Sequence, residues 1–476
     1  MNETEFDVLV VGAGTAGMPC AIGAAERGLR VCVVEKLDRV GGTLHVTGGD
    51  LSAAGTRRQA ARGIIDSPQA HFADIDRISR GTVDEEVTRL AVEEAARTVD
   101  WLEDNGYTFA DAAPAVLFGH EPYDVARTHF APRRGLEILD AMLPDWDRLV
   151  ESGAIVLLTG STLRELVTED GGRVVGVVVD RADGPREIRA ANVVLATGGY
   201  AANPEMFAEV TPRAHRLVSC APETSQGDGI VAARKVGAAF RGADKHLPTA
   251  DGIETAAGSG RAELLGAWPV LHDPLRLPRE IYVDPSGRRF MNEEELSPDT
   301  RERNIRQLDD TAWFVVFDDA SIDVGLPLVP FWGPDGLREK AREGDVAWVG
   351  DTPAELARKA GIDPEGLEAT IAEFNASVPH GRDLFGRRRA SHTITQGPFY
   401  ALRNVATVFI TFGGLAVDGR LRVLTEAGEP IEGLYAAGEV IGAAATTGNA
   451  FCSGMLVTPA LSFGRVLGRT LTGQGA

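Results

Sequence analysis

With 476 residues, the chain has room for two or three structural units rather than one. A formal net charge of −21 argues against a nucleic-acid or anionic-membrane surface. The four cysteines (Cys20, Cys32, Cys220, Cys452) show neither CxxC nor CxxCH spacing, so a disulfide scaffold, a zinc site, an iron–sulfur cluster and an attached haem are all unsupported. No basic-then-apolar leader and no apolar run of membrane-spanning length occurs, and the expected setting is cytoplasmic and reduced.

The run Phe6–Val11 and the run Val31–Val34 are rich in β-branched residues and flank an Ala-rich segment of helix length. That pattern predicts a βαβ unit with parallel strands covered on both faces. Gly12, Gly14 and Gly17, with Ala16 between the last two, stand where the first strand hands over to the helix. Gly12 allows the tight turn, Gly14 lets backbone approach a pyrophosphate, and Gly17 lets helix and strand pack closely. The helix start then offers N–H groups and partial positive charge to phosphates. Glu35, followed by Lys36, ends the second strand, where a carboxylate can bond ribose hydroxyls. Strand, helix, strand and terminal acid agree on dinucleotide binding.

The next segment, Gly41-Gly42-Thr43 and Thr47-Gly48-Gly49-Asp50, suggests a second place where backbone lies against the cofactor. Thr82–Glu85 has capping-box spacing and opens an amphipathic helix that Gly106 closes. The loop His120–Arg134 gathers His120, Tyr123, Arg127, His129, Arg133 and Arg134, either as solvated surface or as part of a site. A helix over 136–150 precedes strands at Ile155–Leu158, Leu163–Thr168 and Val174–Val179. The buried run Val193–Ala196 enters the turn Thr197-Gly198-Gly199, which in a doubly wound sheet lies at the ligand edge. Gly227-Asp228-Gly229 opens another helix. From about Arg241 to Gly350 the βα rhythm is lost, as expected of an inserted domain. Leu356–Ala360 and Pro364–Val378 read as helices, and Gly413–Val417 and Gly433–Glu439 return to the first pattern.

Taken together, Gly12–Gly17, Glu35, Gly41–Thr43 with Thr47–Asp50, Asp66-Ser67-Pro68, Ala196–Gly199, Gly227–Gly229, Gly287–Glu293, Thr411–Gly414 and Leu434–Glu439 resemble the flavoprotein family of fumarate reductase, succinate dehydrogenase, urocanate reductase and 3-ketosteroid Δ1-dehydrogenase. The likeness covers nearly the whole chain. It implies an α/β fold: a Rossmann-like FAD-binding domain at 1–240 and 356–476, with an inserted α+β cap at 241–355. It further implies that the Gly12 loop holds the FAD pyrophosphate, that Glu35 and Lys36 lie at the adenosine end, and that Gly41–Thr43 and Thr47–Asp50 run past the flavin. Ala196, Thr197, Gly198, Asp228 and Glu439 are expected against the rest of the cofactor. Leu456 and Val457 would bring a helix start to the flavin O2/N1 edge. Gly42 stands where covalently flavinylated members have a His, so FAD is expected to be non-covalent.

The active-site positions depart from the family. Ser297 stands where soluble fumarate reductases place a proton-donating Arg and ketosteroid dehydrogenases a Tyr. Phe409-Ile410 replaces their His, and Phe451 their C-terminal Arg. A dianionic C4 acid needs paired charges to leave water, so the resemblance points to the ketosteroid branch. The expected reaction is α,β-desaturation of a cyclic or bulky ketone or keto acid, with hydride transfer to flavin N5. Tyr123, His129, Ser297 and Arg301 are the candidate proton movers, with the Gly454 N–H as enolate donor. Tyr123 would need its pKa lowered by Arg127 or His129. His246 is a further candidate for substrate contact. The alternatives are an ene-reductase of the fumarate/urocanate type and a non-catalytic electron-transfer flavoprotein. Partners would be a small-molecule substrate and an external electron acceptor or donor.

Overall fold

A computed structural model describes residues 5–169, 171–211, 216–245, 248–263, 277–308, 311–324, 328–381, 383–389 and 392–473; His246 lies outside them. The predicted βαβ unit is present, with strand Glu5–Val11, helix Gly17–Glu26 and strand Val31–Val34. Val8–Val11 of the first strand and all of the second are buried, which is why their apolar runs are continuous rather than alternating. They are the centre of an eight-stranded sheet. Its main order is Arg422–Leu424, Pro430–Ala436, Gly184–Leu195, Glu5–Val11, Val31–Val34, Ile155–Leu158, and the antiparallel pair Thr162–Thr168 and Val174–Arg181 joins through Gly184–Leu195. The pairs along the centre are parallel. Five parallel strands therefore end at one edge, at Val11, Val34, Leu158, Leu195 and Ala436.

The long helices Glu85–Asp104 and Val457–Thr470 pack against each other beside helix Gly17–Glu26. Gly17 makes the strand–helix contact possible: a Cβ there would fall 1.8 Å from Gly12 O.

A second, six-stranded sheet has the order Ala262–Glu263, Thr249–Glu254, Phe399–Thr407, Ala312–Asp318, Ile281–Val283, with Ala347–Gly350 also on Phe399–Thr407. The domain boundary expected at residue 355 does not coincide with this sheet. Strand Phe399–Thr407 pairs along its length with Ala312–Asp318. Helices Pro353–Ala360 and Pro364–Ser377 bury Leu356, Leu367, Ile371 and Phe374 against Val283, Phe314 and Val316. Their apolar faces have this sheet to cover, so the inserted unit continues through residue 407. Just past strand Phe399–Thr407, Val408 pairs with the segment Val218–Cys220: Cys220 N donates to Val408 O (3.1 Å) and Val408 N to Val218 O (2.9 Å).

Among the described residues no helix is long and apolar enough to cross a membrane, and no cluster of His, Cys, Asp and Glu could hold a metal ion.

Candidate active site

The carboxyl edge of the first sheet opens onto a cavity of about 340 Å³. The first glycine loop supplies Gly12, Gly14 and Ala16 to its wall, and the end of the second strand supplies Glu35 and Lys36. The second glycine turn adds Gly42, Thr43, Thr47 and Gly48, and the strand ends at Leu195 and Ala436 add Ala196, Thr197, Gly198 and Glu439. Asp228, Leu456 and Val457 complete the predicted cofactor residues found there. Gly17, Gly41, Gly49 and Asp50 stand behind the wall. Gly41 packs on Leu139 and Gly49 on Gly135, and burial raises the Asp50 pKa, with nearby Arg134 opposing the rise.

The two glycine turns face each other. Gly41 N donates to Ala13 O (2.8 Å), and a Cβ on Gly42 would lie 3.1 Å from Gly14 Cα. Glu35 holds the arrangement from below: its carboxylate accepts from Ala13 N and from Leu37 N, both at 2.9 Å. Lys36 and Asp228 form an ion pair across the wall at 2.7 Å. Glu439 is half-buried in the wall, and desolvation there pushes its pKa up to about 7, even though Thr411 N (2.8 Å) and Thr411 Oγ1 (3.1 Å) both donate to it. Thr197 Oγ1 is buried and finds no hydrogen-bond partner among the described residues. Helices Gly17–Glu26 and Val457–Thr470 both begin at the wall without a side-chain cap. Uncapped helix starts suit anionic groups, a buried orphan hydroxyl suits a polar ligand chain, and the facing glycines leave room for it. These residues fit FAD.

Phe409 belongs to the wall and is backed by rings that stand behind it. Phe409 stacks on Phe451 (centroids 5.8 Å apart), Phe412 meets Phe451 edge-on (5.3 Å), and His120 stacks on Phe451 at 5.5 Å. None of the five predicted catalytic residues lines the cavity itself.

Tyr123 is buried, and its hydroxyl donates to Ser453 O at 2.7 Å. Burial raises its pKa well above the ordinary value; the lowering by Arg127 is a smaller effect. The expected activation of Tyr123 as a base is therefore reversed. His129 is fully buried in the short pair Leu51–Ser52 with Thr128–His129. Its ring bonds Arg127 O (2.8 Å) and Thr56 Oγ1 (3.0 Å), and burial lowers its pKa to about 4. Both ring nitrogens are thus engaged within the fold.

Ser297 caps helix Pro298–Ile305, accepting from Thr300 N (3.1 Å), and donates to Glu121 Oε2 (2.6 Å). Arg301 is buried in the inserted unit, donating to Tyr282 Oη (3.2 Å) and Glu295 O (3.3 Å). Gly454 sits on strand Leu51–Ser52.

Two groups of residues escaped the sequence reading. Glu121 gave no signal because its partner Ser297 is 176 positions away. The wall segment Cys220–Ser225 has neither a glycine pattern nor an apolar period; only its place just before Gly227-Asp228 could have marked it.

The model of the FAD binding domain family matches residues 7–456. The chain belongs to that family. It is 29% identical to a probable fumarate reductase of Shewanella frigidimarina, over 97% of this chain and 74% of the relative. It is 28% identical to 4-oxocyclohexanecarboxylate 2-dehydrogenase of Sinomonas cyclohexanicum, over 100% of this chain and 94% of that protein. The fold matches 3-ketosteroid delta1-dehydrogenase from Sterolibacterium denitrificans with a TM-score of 0.80 at 22% identity, covering 98% of this chain and 99% of that one. Like its relatives in the family, it is an FAD-dependent oxidoreductase acting on CH–CH bonds, with a small-molecule substrate.

Proposed function

We propose that the chain desaturates a cyclic or bulky ketone or keto acid between the carbons α and β to its carbonyl. The observation that carries this is Phe409 in the cavity wall, backed by the rings of Phe451 and, behind it, Phe412. By family resemblance, Phe409-Ile410 and Phe451 occupy the places where dicarboxylate-binding members keep His and Arg. A small dianion would lose its hydration there without gaining partners, whereas a ring ketone gains apolar contact. Likeness to a dehydrogenase named for a ring ketone acid, over nearly the full length of both proteins, supports the same substrate class, with one carboxylate at most.

When bound, FAD supplies the two-electron acceptor for the hydride at N5. The glycine loop and the first helix start would hold its pyrophosphate and Glu35 its adenosine ribose. The uncapped start of the last helix, at Leu456 and Val457, would lie at the flavin edge and favour negative charge there. The inserted unit serves as the cap that closes over substrate. With Tyr123 and His129 bonded elsewhere, the α-proton falls to Ser297, whose hydroxyl can pass it to the Glu121 carboxylate 2.6 Å away. A cytoplasmic setting, in keeping with four unpaired cysteines, and an external electron carrier complete the reading.

Anaerobic mixing of the oxidised holoenzyme with 4-oxocyclohexanecarboxylate and other saturated ring ketones should bleach the flavin absorbance. Fumarate should barely reoxidise the reduced enzyme. Rapid fumarate reduction with no bleaching by any ketone would overturn the reading. The ene-reductase alternative is favoured by the fumarate reductase relative, and reoxidation of photoreduced enzyme by enones, without the reverse reaction, would select it.

A further inference from the structure

We propose that Tyr123 is a positioning residue that holds the Ser453–Gly454 turn, and with it the start of the last helix, in place at the flavin site. The turn is gripped from two sides. From one side Tyr123 Oη donates to Ser453 O at 2.7 Å, and Thr128 Oγ1 donates to Ser453 Oγ at 3.3 Å. From the other, Gly454 lies directly on strand Leu51–Ser52. Its φ is +71°, and a Cβ would stand 2.4 Å from Ser52 N, so no larger residue fits this backbone.

The same strand reaches past the turn to the helix. Ser52 N donates to Thr458 Oγ1 (2.8 Å), and Thr458 N donates back to Gly454 O (3.1 Å). Strand, turn and first helical residues thus close one ring of bonds, and Leu456 and Val457, inside that ring, face the cavity. Tyr123 is itself immobilised. The Arg127 guanidinium stands 5.0 Å from its ring centroid and is fixed in turn by Asp66 (2.9 Å) and Asp74 (2.6 Å), while His71 packs edge-on at 5.5 Å. The hydroxyl cannot swing to a substrate. It acts through Ser453.

This inference rests on the placement of the flavin edge at the last helix given above, but not on the choice of substrate. Its test therefore uses a readout that needs none. In Tyr123→Phe the ring packing stays and the bond to Ser453 O is lost, a net effect of about fivefold on the equilibrium that bond supports. The holoenzyme should keep its full FAD content. The flavin midpoint potential, measured by equilibration with redox dyes, should fall by about 20 mV, since a tenfold change in a two-electron couple is about 30 mV. Turnover of whichever ketone or enone reacts should drop about fivefold at every pH, with both limbs of the pH profile unmoved. Thr128→Val, which removes the second bond to Ser453, should shift the potential in the same direction, and the two variants should be non-additive. An unchanged potential in both variants would overturn the proposal. So would a loss of about a hundredfold or more in Tyr123→Phe together with one limb of the pH profile, which would mark Tyr123 as the base. If no ketone bleaches the wild-type flavin, the substrate reading fails while the potential measurement still decides the role of Tyr123.

Discussion

Glu439 shows how a single group in the cavity wall can carry two opposed requirements. Its position in the cavity wall serves a polar ligand, yet burial without a cation raises its pKa from 4.5 to about 7. In the ligand-free protein the folded state therefore binds a proton that the unfolded state has released between about pH 4.5 and pH 7. Stability from this group is fully present below that window and is lost as pH rises through it. Glu439→Gln retains a carbonyl oxygen for the two Thr411 donors and removes the titration. The melting temperature of apo Glu439→Gln should exceed that of the apo wild type above pH 7, by an amount corresponding to roughly 3 kcal/mol, and the two should converge towards pH 4.5. A constant difference across the range would exclude this explanation. His129 has the opposite sign. With its pKa lowered to about 4, the stability it contributes is complete above about pH 6.5 and is lost as pH falls towards 4.

At the level of elements, helix Pro298–Ile305 is the part of the inserted unit that fastens to the FAD-binding unit. Asp299 pairs with Arg80 across the junction (2.8 Å) and with Arg303 on its own helix (2.7 Å), and Arg303 donates to Asn449 O (2.8 Å). Ser297 adds the bond to Glu121. Asp299 is itself nearly buried, so this carboxylate sits where ion pairs are screened less than at an open surface. Asp299→Ala should loosen the closed arrangement. The expected result is a KM raised about three- to tenfold with kcat unchanged or higher, because opening becomes easier, together with faster amide hydrogen exchange over 297–306. An unaltered KM and unaltered exchange would show that this helix does not govern closure.

The whole molecule presents one cofactor edge built from strands far apart in sequence and one neighbouring unit folded over it. By family resemblance, Gly42 occupies the position where tethered members carry His, and His45 Nε2 lies 2.9 Å from Val40 O. Acid or heat denaturation should therefore release the entire flavin content as free FAD. Yellow colour that stays with the precipitated polypeptide would contradict this.

The βαβ unit, the facing glycine turns and the acid at the second strand end were all legible in the sequence. Each depends on local physics: a hydrophobic period, a turn that only glycine accommodates, and a helix start a few residues further on. The surroundings of Tyr123 and His129 were not legible, since residue type does not show that their polar atoms bond Ser453, Arg127 and Thr56. The extent of the inserted unit was hidden for a related reason. Strand Phe399–Thr407 carries Arg403 and Asn404 within its apolar run, and these are accommodated by an ion pair with Glu254 (2.6 Å) and a bond to Leu402 O (3.2 Å). Such pairings, and the contact between Ser297 and Glu121, join residues that local patterning leaves unrelated, so only closure of the tertiary structure decides them.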